Sequence, residues 1–334
     1  MLAGESFDQV ALELFEAQRA AFPVIDRYQR RFGRGVSRWT DIAPLPIAAF
    51  KHATLFGGGT AARTFESSGT SGAPRSRALF SDAGLALMRD SIDANAGRHL
   101  FPDGRATRVL VLTPPPEAAP ALIMVAGMAR LIERFGLPES GFFVGPGGLD
   151  AAALERALRE AVREGVPVTL CSASFALVRL LDGALWRHTL PPGSRVLHAG
   201  GFKGRSRSVS PPELLRLIEA RLGIPATHVV NLLGMTELAS QLWEDHFGGP
   251  PDQTKVDAPW TRTRVLDANT LEEAPVGGVG LLAHYDLCNV ERPFALLTDD
   301  LGERTDRGFR VLGRASEADA KGCSITLEEL LARP

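Results

Sequence analysis

Cysteine is scarce in this chain of 334 residues: there are three, Cys171, Cys288 and Cys323, far apart and odd in number. That excludes a disulfide framework, and the lack of any Cys-x-x-Cys pair excludes a thiolate-built metal site. Thiols of a reducing compartment are expected instead. Charge of one sign is also missing. Lys and Arg number 37 against 39 Asp and Glu, a net charge of −2, and the two signs are interspersed. Neither nucleic acid nor an anionic membrane has an electrostatic foothold on such a chain. No apolar run approaches the roughly 20 residues of a membrane span. The opening Met1-Leu-Ala-Gly-Glu-Ser-Phe-Asp has no basic region followed by an apolar core, so it does not read as a secretory signal. Internal repeats and low-complexity tracts are absent, and the expectation is a cytoplasmic protein.

What is present is an ordinary globular balance, 45% hydrophobic and 23% charged, in a chain long enough for a large buried core. Residues 4–34 read as helical, with Leu12, Phe15, Phe22 and Ile25 at helix-like spacing. From about residue 64, short apolar runs alternate with amphipathic stretches. Expected strands are Val109–Leu112, Phe142–Val144, Val166–Cys171, Arg195–His198 and His228–Leu233. Expected helices cover 82–97, 119–135, 150–164, 174–182 and 211–222, the last begun by the capping Ser210 and two prolines. This alternation predicts an α/β fold, a mostly parallel sheet with flanking helices. After about residue 250 short β-like runs take over, at 262–267, 279–285, 293–298 and 308–312. The expected division is an N-terminal helical segment, 1–63, an α/β core, 64–250, and a β-rich subdomain with a C-terminal tail, 251–334.

Chemistry is concentrated in Ser67, Ser68, Gly69, Thr70, Ser71 and Gly72, followed by Ala73, Pro74 and Arg75. Glycines let backbone N–H groups approach an anion, hydroxyls add donors, and Arg75 offsets phosphate charge. The order of a Walker A loop is absent, and taken alone the cluster reads better as a surface turn. It has companions, however. Arg195-Val-Leu-His-Ala runs into Gly200, Gly201, Phe202 and Lys203. Asn231-Leu-Leu ends in Gly234, Met235, Thr236 and Glu237. Later come Thr298-Asp299-Asp300 and Gly313-Arg314.

Together, in this order, these elements resemble the adenylate-forming superfamily of acyl-CoA synthetases and adenylation domains over residues 65–315. The resemblance implies ATP and Mg²⁺ as cofactors and formation of an acyl-adenylate. Ser67–Arg75 would be the phosphate loop, with Arg75 where lysine is commoner, and Gly200–Phe202 the adenine-binding strand end. Thr236 would meet the phosphates, Glu237 would hold Mg²⁺, Asp300 would grip the ribose hydroxyls, and Arg314 would be the hinge arginine. Superfamily members normally continue into a mobile C-terminal domain with a catalytic lysine, whereas this sequence ends at Pro334 with Ala315 and Ser316 after the arginine. The expectation is therefore an adenylate-forming N-terminal domain lacking that mobile domain, with Lys203 and Arg75 as the cations assisting adenylation.

A shorter branch, the acyl-protein synthetase (LuxE-type) family of bacterial fatty-acid reductase complexes, is similar at Pro44-Leu-Pro-Ile-Ala-Ala-Phe50-Lys51, at the Ser67–Gly72 loop, at Gly200–Lys203 and in the tail Lys321-Gly322-Cys323-Ser324. That resemblance implies activation of a carboxylic acid, fatty or aryl, and self-acylation of Cys323 before delivery to a partner acyl reductase. A free cysteine is also commonly just a small buried residue, and Cys171 and Cys288 read that way. Hand-over to coenzyme A or a carrier protein, and a non-catalytic nucleotide-binding scaffold, are the alternatives. His99-Leu-Phe-Pro-Asp103-Gly104 matches a short acyltransferase pattern without a second signature, and no G-x-S-x-G elbow supports a serine hydrolase. His198 reads as a core or pocket-edge histidine.

Overall fold

Helix starts in this chain are written in short polar residues. Ser6 accepts from the Gln9 amide at 3.2 Å, Asp150 from Ala153 at 2.9 Å and Ser210 from Glu213 at 3.4 Å, each supplying an acceptor to an otherwise unpaired first-turn N–H. In the computed structural model, residues 5–33, 35–67, 74–183, 187–200 and 207–315 are described. They fall into two units. One takes the described residues of Met1–Ser91, Met235–Ser240 and Thr254–Pro334, the other those of Ile92–Gly234 and Gln241–Gln253.

The second unit is built on a mostly parallel sheet. Its strand order is Leu242–Glu244, Val229–Leu233, Arg195–Ala199, Val168–Ala173, Arg108–Leu112 and Gly141–Phe142, with antiparallel pairing at the first pair alone. Every residue of Arg108–Leu112 and of Val168–Ala173 is buried, as expected of strands covered on both faces. Leu110, Leu112, Val168, Leu170 and Val196 turn one face of the sheet into a core shared with three helices. Ala151–Glu164 contributes Leu154, Leu158 and Ala161, and Pro211–Leu222 contributes Leu214, Ile218 and Leu222, both at helical spacing. Each fully buried Leu or Ile adds about 1.5–3 kcal/mol. Ser174–Asp182 completes the layer.

The first unit holds an antiparallel sheet in the order Thr261–Leu266, Val279–Asp286, Ala295–Arg304, Phe309–Arg314 and Lys255–Val256. Leu45–Pro46 adds a parallel pairing, Leu45 opposite Leu296 and Pro46 opposite Leu297. The N-terminal stretch expected to be helical is two helices, Phe7–Ala21 and Pro23–Phe32. The ring of Pro23 removes an N–H and restarts the helix at its first position. Buried Gln18 ties the first helix to the sheet: it donates to the carbonyls of Asn289 at 2.7 Å and Arg292 at 2.6 Å, and accepts from the Phe294 amide at 3.0 Å.

Among the described residues no helix is long and apolar enough to cross a membrane.

Candidate functional site

The Ser/Gly-rich segment joins the two strands of a hairpin, Arg63–Glu66 and Arg77–Phe80, which are antiparallel and locked by an edge-to-face contact of Phe65 and Phe80 at 5.3 Å. Ser67 and Ser76 close its base. The Ser67 amide donates to the Ser76 carbonyl at 3.0 Å, and the Ser76 amide to the Ser67 hydroxyl at 3.0 Å. Ser68, Gly69, Thr70, Ser71 and Gly72 lie outside the described residues. Arg75, at the far end of the connection, is exposed and sits 3.6 Å from Glu66.

Glu237 occupies the same unit. The strand Val229–Leu233 ends at Gly234, where a Cβ would meet only ordinary contacts, the nearest at 3.6 Å. The chain then passes into the first unit for Met235–Ser240. Thr236 and Glu237 are buried, Glu237 with 4% of its surface exposed. Burial dominates its electrostatics and pushes its carboxyl above the usual range, against the opposing effects of a hydrogen bond donated by the Ser76 hydroxyl and the nearby charges of Lys51 and Arg314.

A fully buried polar network fixes the backbone around Glu237. Asn289 donates to the Glu237 carbonyl at 2.8 Å and to the Pro293 carbonyl at 3.1 Å, while its oxygen accepts from the Ala239 amide at 2.9 Å and from Arg292 at 2.9 Å. Asp286 accepts from the Ser240 amide at 2.7 Å and hydroxyl at 2.8 Å, and from the Cys288 amide at 3.0 Å. The Trp260 indole N–H donates to the Ser240 hydroxyl at 3.0 Å. Backbone outside regular secondary structure is thus held as firmly as a strand.

Asp300 and Arg314 stand opposite each other on adjacent strands of the first unit's sheet, 3.6 Å apart. The Asp300 amide donates to the Thr298 hydroxyl at 3.1 Å. Ser76, Glu237, Arg314 and Asp300 are therefore linked through direct contacts or charge–charge interaction. Lys51 belongs to the same group. Sequence reading quoted it within a motif and gave it no role, because its partners are distant in the chain.

In the second unit, Gly200 ends the strand Arg195–Ala199 with φ +69°, a left-handed turn that glycine adopts without strain. Ser174, at the start of Ser174–Asp182, holds that turn. Its hydroxyl is 2.5 Å from the Gly200 carbonyl, 3.2 Å from that of Ala199 and 2.9 Å from His198 Nδ1. Asn231 Nδ2 lies 3.0 Å from both His198 Nδ1 and the His198 carbonyl. His198 thus belongs to a tied polar cluster at the strand end. Gly201, Phe202 and Lys203 lie outside the described residues, and so does Cys323.

The acyltransferase-like pair is occupied structurally. Buried His99 meets Asp245 at 3.0 Å, and burial lowers its pKa. Asp103 accepts from the fully buried Arg195 at 2.9 Å and 3.1 Å, with the guanidinium also near the rings of Phe101 and Phe247. Cys171 and Cys288 are buried, and desolvation pushes both thiols up. Among the described residues no three His, Cys, Asp or Glu side chains gather as a metal cage. A single buried carboxylate beside a hydroxyl still suits Mg²⁺, which keeps several waters and is commonly held by one or two carboxylates plus substrate phosphates.

Residues 170–332 match the family model described as "Acyl-protein synthetase, LuxE". That segment, just under half of the chain, is similar to this family. A "Long-chain-fatty-acid--luciferin-component ligase" of Vibrio harveyi is 27% identical over 145 residues, covering 40% of this chain and 36% of the relative. Among solved structures, a 2-hydroxyisobutyryl-CoA ligase in complex with 2-HIB-AMP and CoA superposes with a TM-score of 0.65 at 14% identity, over 92% of this chain and 74% of that one. ATP-bound MatB from Rhodopseudomonas palustris gives 0.55 at 18% identity, over 76% and 48%. Against the Vibrio ligase and MatB the chain therefore spans well under two thirds of the relative's length. The structural matches establish the adenylate-forming fold.

Proposed function

We propose that this chain activates a carboxylic acid, fatty or aryl, with ATP and then transfers the acyl group to its own Cys323 for delivery to a partner such as an acyl reductase. The observation that carries the reading is Glu237, a carboxylate buried at a strand-end Gly-Met-Thr-Glu turn and hydrogen-bonded by Ser76 at the base of the Ser67–Arg75 connection. An anion kept in a dry setting beside a hydroxyl-lined loop suits phosphate chemistry, where charge neutralisation and in-line positioning carry most of the catalysis.

In the first step a carboxylate oxygen of the acid attacks the α-phosphorus, and the bond to the β-phosphate oxygen breaks with its electron pair leaving on pyrophosphate. Ser67, Ser68, Gly69, Thr70, Ser71 and Gly72 cradle the phosphates, Thr236 contacts them, and Asp300 takes the ribose hydroxyls. The base is assigned to Gly200, Gly201 and Phe202. Glu237 would hold Mg²⁺, which supplies neutralisation of the phosphate charge when bound. Lys203 and Arg75 are the candidates for added positive charge, and Arg314 is assigned as the hinge arginine. In the second step the Cys323 thiolate attacks the acyl carbon, a thioester forms, and AMP leaves with the oxygen. Support for a fatty acid comes from the name of the Vibrio relative, and support for a protein as acyl acceptor from the description of the matching family.

The test is acid-dependent ATP–pyrophosphate exchange across a panel of acids, followed by intact-mass analysis of parent and Cys323→Ser protein. Exchange in both, with a thioester adduct in the parent alone, is expected. An adduct of equal yield in Cys323→Ser that remains sensitive to neutral hydroxylamine would remove the self-acylation step. Acyl transfer to added coenzyme A in place of the adduct would redirect it.

A further inference from the structure

A phosphate chain placed next to Glu237 meets a buried negative charge, so adenylation needs a cation on that side. Sequence reading offered Lys203, which lies outside the described residues, and Arg75, which is exposed and turned toward Glu66 at 3.6 Å; Arg314, whose charge also acts on Glu237, is paired with Asp300 at 3.6 Å. The structure brings another cation to the place. The short helix Ala49–His52 is fixed on both sides within the first unit. Upstream, Leu45 and Pro46 pair with Leu296 and Leu297, and the Ile47 amide donates to the Leu297 carbonyl at 2.9 Å, on the strand that continues to Asp300. Its own turn packs on Arg77–Phe80, the strand that begins directly after Ser76. Ala49 and Phe50 are its buried anchors, at 0% and 2% exposure, and the Phe50 amide closes back onto the Ile47 carbonyl at 3.1 Å. Lys51 follows them, exposed. It thus follows a segment paired with the Asp300 strand and lies on a helical turn packed against the strand that begins after Ser76, and its charge acts on Glu237.

We propose that Lys51 is a catalytic residue of the adenylation step, its ammonium contacting the β- and γ-phosphates of ATP and neutralising the pyrophosphate as it departs. This rests on the adenylation reading above. The bond changes are those of the first step: acyl oxygen to α-phosphorus forms, α-phosphorus to bridging oxygen breaks, and the electron pair goes to pyrophosphate. Lys51 donates hydrogen bonds and positive charge throughout, and transfers no proton. Lysine suits the task as a compact point charge on a flexible stem, with three donors that follow the phosphates as they separate. Anchoring on Phe50 limits the entropy lost when those donors engage.

The test is acid-dependent pyrophosphate exchange by the full chain carrying Lys51→Met or Lys51→Arg, with KM for pyrophosphate, KM for the acid and kcat determined separately. Thermal melts accompany each variant, and because Lys51 is exposed the melting temperature should stay that of the parent. Lys51→Met is expected to raise KM for pyrophosphate and to lower kcat by about ten- to a hundredfold in combined effect, leaving KM for the acid unchanged. Lys51→Arg should recover part of the loss. Parent-like constants in Lys51→Met, or KM values for pyrophosphate and acid that rise together, would overturn the assignment while the adenylation reading stands. No acid-dependent exchange in the parent itself would instead bring down that reading, and Lys51 with it.

Discussion

Asn289 lies 52 residues from the site it supports and is completely buried. Its side chain satisfies four partners: the carbonyls of Glu237 and Pro293, the amide of Ala239 and the guanidinium of Arg292, at 2.8 to 3.1 Å. Truncation to alanine leaves these groups unpaired in a dry interior, at about 1–3 kcal/mol each and more for the charged one. A water entering the vacated space recovers part of this. Arg292 is the sensitive partner: burial already lowers its pKa to about 10, against the charges of Asp286 and Glu291, and its other contacts include the Leu79 carbonyl at 3.0 Å and the face of Phe80. Neighbouring losses do not add, so a net destabilisation of about 3–5 kcal/mol is expected, a large fraction of a typical domain's stability. Urea unfolding reads it as a lower midpoint at unchanged slope. Pyrophosphate exchange at a temperature where the variant remains folded should fall further than the folded fraction does, because Glu237 loses the clamp on its own carbonyl. A loss under about 1 kcal/mol, or full exchange activity in the folded variant, would refute the argument that this network positions Glu237.

Glu237→Gln should be more stable than the parent near neutral pH while losing exchange. Burial sets the folded-state pKa of Glu237 above its reference of 4.5, so the folded state holds the extra proton. The stability this provides is full below the reference value and is lost as pH rises through the folded pKa, and melting curves against pH should show the parent falling relative to the variant over that window. Thiol titration of the native protein should show at most one fast-reacting cysteine of the three, since Cys171 and Cys288 are buried, with all three reacting in urea. His99→Asn should leave exchange unchanged and cost about 1 kcal/mol in unfolding, as the contact to Asp245 is structural. Ser210→Ala should cost a similar amount by removing the cap on Pro211–Leu222.

Much of the α/β framework was legible because buried parallel strands and amphipathic helices announce themselves locally. The expected 174–182 and 211–222 helices appear as Ser174–Asp182 and Pro211–Leu222, and Val109–Leu112 lies within Arg108–Leu112. Glycine and proline caused the departures. Pro23 splits the N-terminal helical stretch, and the run at 142–144 divides into Gly141–Phe142, paired to the main sheet, and Val144–Gly145, which turns back on Gly148–Leu149. The hairpin flanking the Ser/Gly-rich segment was missed because its strands are four residues long and mix Arg and Glu with their buried phenylalanines. Long-range pairing carried no local signal at all. Leu45–Pro46 against Leu296–Leu297 is what fixes the segment leading to Lys51 beside the strand that continues to Asp300, and neither segment announces the other. Glu237 stands out in the sequence through its Gly-Met-Thr-Glu setting, whereas Asn289 and Asp286, which hold that turn in place, resemble ordinary loop residues there.

The central claim is that Glu237 and its surroundings form an adenylation site, and acid-dependent ATP–pyrophosphate exchange in the parent and in Glu237→Gln tests it most directly. The account predicts exchange with at least one fatty or aryl acid in the parent and its loss in a variant that melts at or above the parent's temperature. Exchange at the parent's rate in Glu237→Gln would contradict it.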